Sequence, residues 1–113
     1  MDQSATIAYL SRRPRQVVFD RAEMFQILSV YGRFVAAGLW RDYAVDLGRD
    51  EAVFSIHRRA SEMPLYRIVK RPALARKQGQ YAIFGPAGQT LKRGADLAAL
   101  LRFFDAKLLK LVE

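Results

Sequence analysis

The chain has 113 residues, 51% of them hydrophobic, a net charge of +8 and no cysteine. That length suits one domain and allows about two thirds of the unfolded surface to be buried. The missing cysteines exclude a disulfide framework, a thiolate zinc site and a cysteine nucleophile, and no window approaches the ~18 consecutive apolar residues of a membrane-spanning helix.

Residues 1–16 have no apolar periodicity and read as a mobile basic arm ahead of a single domain over 17–113. Ser11-Arg12-Arg13-Pro14-Arg15 contains the arginine pair of an export signal. Such a signal continues into an apolar run of about 7–15 residues. Here only Val17, Val18 and Phe19 come before Asp20 and Arg21, so a cytoplasmic location is the default expectation. Val17–Phe19 is either a short strand or a lead-in to the first helix.

That helix is predicted over 21–37. Asp20 and Glu23 have the spacing of a capping box, and Phe19 with Met24 that of a hydrophobic staple. Met24, Ile27, Leu28, Tyr31 and Val35 recur at three and four, one helical face, which Phe25 and Phe34 widen. Gly38 suits the left-handed residue that ends a helix. Trp40 follows directly and reads as a core anchor.

Strands come next. Tyr43, Val45 and Leu47 alternate with Asp42, Ala44 and Asp46, and Phe54 and Ile56 alternate with Val53, Ser55 and His57. With Gly48-Arg49-Asp50 between them, 41–47 and 52–59 form a predicted hairpin. A third strand is expected over 65–70, ended by Pro72. Residues 73–79 are a helical turn or a basic loop. Tyr81–Phe84 reads as a fourth strand, Gly85-Pro86-Ala87-Gly88 as a turn, and Thr90–Lys92 as a short fifth. Tyr66, Ile68, Tyr81 and Ile83 share the core side on this alternation. A last helix starts near Gly94 or Ala95, with Leu97, Leu100, Leu101, Phe104 and Leu108 as its apolar face. The expected class is α+β: an N-terminal helix, an antiparallel sheet of four to five strands and a C-terminal helix. Both helices cover one sheet face.

The charge is concentrated. Between His57 and Arg93 the basic residues are Arg58, Arg59, Arg67, Lys70, Arg71, Arg76, Lys77, Lys92 and Arg93, against the single acid Glu62. The rest of the chain is neutral. A merely solubilising surface has no reason to be so lopsided. Arg67 is expected on the face opposite Tyr66 and Ile68, sharing it with Ser55, His57 and Arg59. Lys70 and Arg71, at a strand end, have no face assigned.

No catalytic constellation is legible. His57 is the only histidine and has no companion in sequence. Asp42 and Asp46 share a strand face, a pattern of acid–base or cation sites that reads rather as a solvated face paired with Arg41 or Arg49. No cofactor and no metal are assigned, and no enzyme activity is expected.

Three segments carry a family resemblance: Gln26-Ile27-Leu28-Ser29-Val30-Tyr31-Gly32-Arg33, Trp40-Arg41-Asp42-Tyr43-Ala44 and Arg58-Arg59-Ala60-Ser61-Glu62-Met63-Pro64-Leu65-Tyr66-Arg67-Ile68. Lys70-Arg71-Pro72 and Leu91-Lys92-Arg93-Gly94 add to it. Over Phe19–Val112 the chain resembles a small family of uncharacterised alphaproteobacterial proteins, a domain of unknown function. The resemblance implies a cytoplasmic bacterial protein and brings no activity or site. In architecture alone, strands followed by a C-terminal helix are similar to the single-stranded-nucleic-acid binders of the Whirly, Pur and transcriptional-coactivator type.

The expected function is therefore a non-catalytic nucleic-acid-binding module, for single-stranded DNA or RNA, that meets phosphates through the nine basic residues named above. The alternative is a protein-interaction module with an acidic protein partner, itself able to form a homodimer.

Overall fold

The computed structural model describes residues 15–112. The basic arm expected at 1–16 lies outside the described residues apart from Arg15 and Gln16, which are exposed. Val17 already belongs to the body, its amide donating to the Gly48 carbonyl at 2.8 Å.

Helix α1 spans Arg21–Ala36. Its capping box closes in both directions: the Asp20 carboxylate accepts from the Glu23 amide, and Glu23 Oε1 accepts from the Asp20 amide, each at 2.8 Å. Two of the amides left without helical partners are satisfied in this way. The helix runs out through Ala37 into Gly38, at φ +76°, a conformation glycine adopts without the Cβ penalty.

Five strands follow, β1 (Asp42–Leu47), β2 (Ala52–His57), β3 (Tyr66–Lys70), β4 (Tyr81–Phe84) and β5 (Thr90–Gly94). They form one antiparallel meander in the order β1-β2-β3-β4-β5. A single 3-10 turn, Pro72–Leu74, sits in the β3–β4 connection. Helix α2 closes the chain over Leu97–Val112.

Register determines the two faces, because directly opposed residues of an antiparallel pair point the same way. One row runs Val45, Phe54, Ile68, Ile83, and the next runs Leu47, Ala52, Lys70, Tyr81. This is the side on which both helices lie. Ile27, Val30 and Phe34 of α1 and Leu97, Leu100, Leu101 and Phe104 of α2 join Phe54, Ile56, Ile68 and Ile83 in one buried cluster. Trp40 is the expected anchor: it is buried, stacks on Phe34 at 3.9 Å between ring centroids and meets Phe104 edge-on at 5.2 Å. Truncating a residue as enclosed as Phe104 costs about 3–5 kcal/mol.

Three expectations shift. The expected stripe of α1 holds at Ile27 and Phe34, which are buried, and at Met24 and Tyr31, which pack on the core, but Leu28, Val35 and Phe25 stay 37%, 41% and 73% exposed while Glu23 and Val30 turn inward. Apolar residues flank this stripe on both sides, and the side that turns inward is the one that carries the ion pair of Glu23 described below. On β1, Tyr43, Val45 and Leu47 do point to the helix side, yet they remain substantially exposed. β1 is an edge strand that α1 meets only in part, through the Tyr31 ring standing edge-on to Tyr43 at 5.0 Å. Finally, β5 continues to Gly94, so α2 begins at Leu97 rather than at Gly94 or Ala95.

Candidate nucleic-acid interface

The helix-free face of the sheet is divided by charge. Along β1 it shows Asp42, Ala44 and Asp46, and Glu51 stands at the entrance to β2. From β3 onward it is cationic. Strand alternation sends Arg67 and Val69 to this side, and Arg71, just past the strand end, returns to it. Arg67 lies between Ser55 and Phe84, while Val69 lies between Val53 and Ala82, with Arg93 next in the row on β5.

Arg67, Arg71 and Arg93 thereby come together in a groove of about 450 Å³ that Val53, Phe84 and Leu74 help to line. Val69 and Ala82 are buried in its floor. Phe84 and Val53 are half-buried at its sides. The Arg93 guanidinium carbon stands 6.0 Å from the centroid of the Phe84 ring, at the outer limit of cation–π contact. Arg71 donates to Glu51 Oε1 through Nη2 at 2.8 Å and Nε at 3.2 Å. This pair lies in solvent, and the carboxylate holds the guanidinium proton more firmly than usual. Arg67 and Arg93 have no carboxylate within ion-pair distance among the described residues.

The connection carrying Arg76 and Lys77 borders this groove through Leu74. Both cations are exposed. Gly79, at φ +90°, pins the connection against β5: a Cβ there would come within 2.6 Å of the Gly94 carbonyl oxygen. No L-side chain fits such a backbone crossing.

The other four expected cations lie elsewhere. Arg58 and Arg59 both approach Glu62, at 3.1 and 3.9 Å, in the β2–β3 connection. With Arg41 they line a second depression beside Trp40 and Gly38, where α1 ends. His57 shares the helix-free face, and its Nδ1–H donates to the Glu62 carbonyl at 3.0 Å, so the ring ties the same connection. Lys92 is exposed on the helix side, beside the start of α2.

Lys70 turns inward. Its ammonium donates to Glu23 Oε1 at 2.8 Å and to the Val18 carbonyl at 2.9 Å. The Tyr81 hydroxyl donates to the other oxygen of Glu23. Burial, together with the adjacent Glu23 carboxylate, pushes the Tyr81 hydroxyl far above its ordinary pKa. One carboxylate thus closes a helix cap, a lysine and a tyrosine into a single knot at the sheet–helix boundary. An ion pair this enclosed persists because both members are also hydrogen-bonded.

Asp42 and Asp46 share the helix-free face, as their spacing requires, but neither forms an ion pair with Arg41 or Arg49 among the described residues. Those residues likewise bring no three metal-ligating side chains together, and none of their helices is long and apolar enough to cross a membrane. Phe84 had no role in the sequence reading beyond ending a strand. The signal was present: with Tyr81 and Ile83 inward, alternation places Ala82 and Phe84 outward, between Arg67 and the last strand.

No curated protein and no solved structure matches the chain. A family model described as "Protein of unknown function (DUF2794)" matches residues 17–101, from the residue that first joins the body to the second turn of α2. The arginine groove lies wholly within that span. The chain is a member of the DUF2794 family of proteins of unknown function.

Proposed function

We propose that this protein binds nucleic acid through the helix-free face of its sheet, at the groove that gathers Arg67, Arg71 and Arg93. The observation that carries the reading is the convergence of three guanidiniums, from β3, the residue after it and β5, on one groove, two of them without an acidic partner among the described residues. Guanidinium is the side chain best matched to phosphate, presenting a planar, always-charged fork of donors. Arg76 and Lys77 extend the positive field along the bordering connection. Asp42 and Asp46 repel a polyanion from the β1 side and confine it to β3–β5.

The reading is narrower than a charge count implies. Lys70 is engaged by Glu23 and takes no part. Arg58 and Arg59 share one carboxylate in another depression and act as a flank. The affinity is electrostatic in origin and falls with salt, with a slope of log K on log salt near −0.7 for each phosphate neutralised on a single strand. Three arginines therefore give a slope of about −2.

A titration of labelled oligonucleotides, single-stranded and duplex, at about 50 mM and about 200 mM salt measures this directly. The expected result is binding that weakens with that slope. Absence of binding to either form at the lower salt overturns the proposal. Pull-down after nuclease treatment separates it from recognition of an acidic protein, whose capture would survive the nuclease.

A further inference from the structure

Resting on the reading of the arginine groove as a nucleic-acid interface, we infer that its ligand is single-stranded, with a base seated on the ring of Phe84. A groove built for duplex backbone alone has no use for apolar surface, because a duplex turns its phosphates outward and hides the faces of its bases. This groove combines both kinds of surface. Phe84 and Val53 stand half-buried at its sides, and cations occupy its rim. A single strand offers both matching parts, exposed base faces for the ring and a phosphate backbone for the arginines.

The placement of Phe84 supports this. Its neighbours across the strands are Arg67 on β3 and Thr90 on β5, and the Arg93 guanidinium stands 6.0 Å from its ring centroid. A base on Phe84 thus has a phosphate ligand on the β3 side and another toward β5. The groove, at about 450 Å³, falls in the size range of a small-ligand site. It holds a nucleotide or two, not the width of a double helix. The β4–β5 register shifts here, with Leu91 of β5 left without a partner, while Phe84 keeps its regular pairing with Arg67 and so stays on the helix-free face. Every base has a π face, so the contact is tolerant of sequence.

The test compares two substitutions that keep the site filled. Phe84→Leu preserves apolar volume and removes the aromatic face, and Phe84→Tyr preserves the ring. Binding of a short oligothymidylate and of a mixed-sequence duplex is followed by fluorescence anisotropy at one salt concentration, with thermal melts verifying that each variant is folded. The wild type is expected to hold the single strand at least tenfold more tightly than the duplex. Phe84→Leu should weaken single-strand binding by about tenfold, a typical loss for one stacked base, leave duplex binding and the salt slope unchanged, and bring the two ligands close together. Phe84→Tyr should behave as the wild type. Equal wild-type affinity for both ligands, or a Phe84→Leu variant that binds the single strand normally, overturns the inference while leaving the nucleic-acid reading standing. Failure of the wild type to bind either ligand overturns that reading and the inference with it.

Discussion

Lys70 and Arg71 are consecutive residues of one strand end, both basic, and they have opposite fates. Lys70 points to the helix side, where Glu23 and the Val18 carbonyl hold its ammonium out of water. Arg71 points to the helix-free side and pairs with Glu51 in solvent. The pleat alone separates them, since successive side chains leave a strand on opposite faces. The comparison teaches that a local charge count mixes two populations. One is part of the core boundary and unavailable, while the other stays in solvent, where a phosphate can compete with a carboxylate for it.

The largest expected effect breaks the buried side of that comparison. Lys70→Met leaves the Glu23 carboxylate enclosed and without its cation, and the chain is expected to lose about 3–5 kcal/mol of stability. Arg71→Ala, one residue on, should leave stability almost unchanged, because its ion pair lies in solvent. Urea unfolding of both variants checks the pair, and comparable losses would contradict the division. Binding should show the inverse. Charge reversal at Arg67, Arg71 and Arg93 together is expected to abolish oligonucleotide binding with little change in melting temperature. Lys70→Met, measured under conditions where it is folded, should bind as the wild type. Single replacement of Arg93 should reduce the salt slope by about 0.7.

A third effect concerns pH. The folded-state pKa of Tyr81 is raised by burial and by its bond to Glu23. Its stabilising contribution is therefore complete below the unfolded value, near pH 10, and is lost as pH rises beyond it. Unfolding free energies measured across about pH 9–11 should fall for the wild type. Tyr81→Phe should lack the part of that fall due to this hydroxyl, starting from a lower plateau because Glu23 has lost a donor. A variant that retains the whole slope would show that Tyr81 does not titrate with folding. The smallest effect sharpens the exposed side. Asp42→Asn with Asp46→Asn removes the acidic border of the helix-free face and should raise oligonucleotide affinity a few-fold at low salt, and less at high salt. The same acids guard a free edge strand whose Tyr43, Val45 and Leu47 are exposed, so light scattering should also detect more self-association.

Much of the framework was readable in advance because its signals are local. The Asp20–Glu23 box, the left-handed Gly38, the alternation in β2 and β3, and the Leu97–Leu100–Leu101–Phe104 stripe all act within a turn or two of the chain. The stripe of α1 was right at Met24, Ile27, Tyr31 and Phe34 but extended to Leu28 and Val35 rather than to Glu23 and Val30, because both borders are equally well spaced. The choice between them depends on Lys70 and Tyr81, which lie 47 and 58 residues from Glu23. The groove was half legible. Alternation put Arg67 outward, and it could have put Phe84 there too, but nothing near Arg71 in sequence shows Glu51, 20 residues away.

The amino-acid sequence by itself determined the elements, their antiparallel order and the surplus of cations in the second half of the chain. These follow from backbone propensity, side-chain periodicity and hairpin-length connections. Tertiary structure alone decided which cations are spent on carboxylates and which converge. The Lys70–Glu23 and Arg71–Glu51 pairs form between residues that the fold, not the chain, makes neighbours, whereas Arg58 and Arg59 reach Glu62 within three or four residues. Burial then fixes whether a charge must be neutralised, as for Lys70, or is left facing water, as for Arg67 and Arg93.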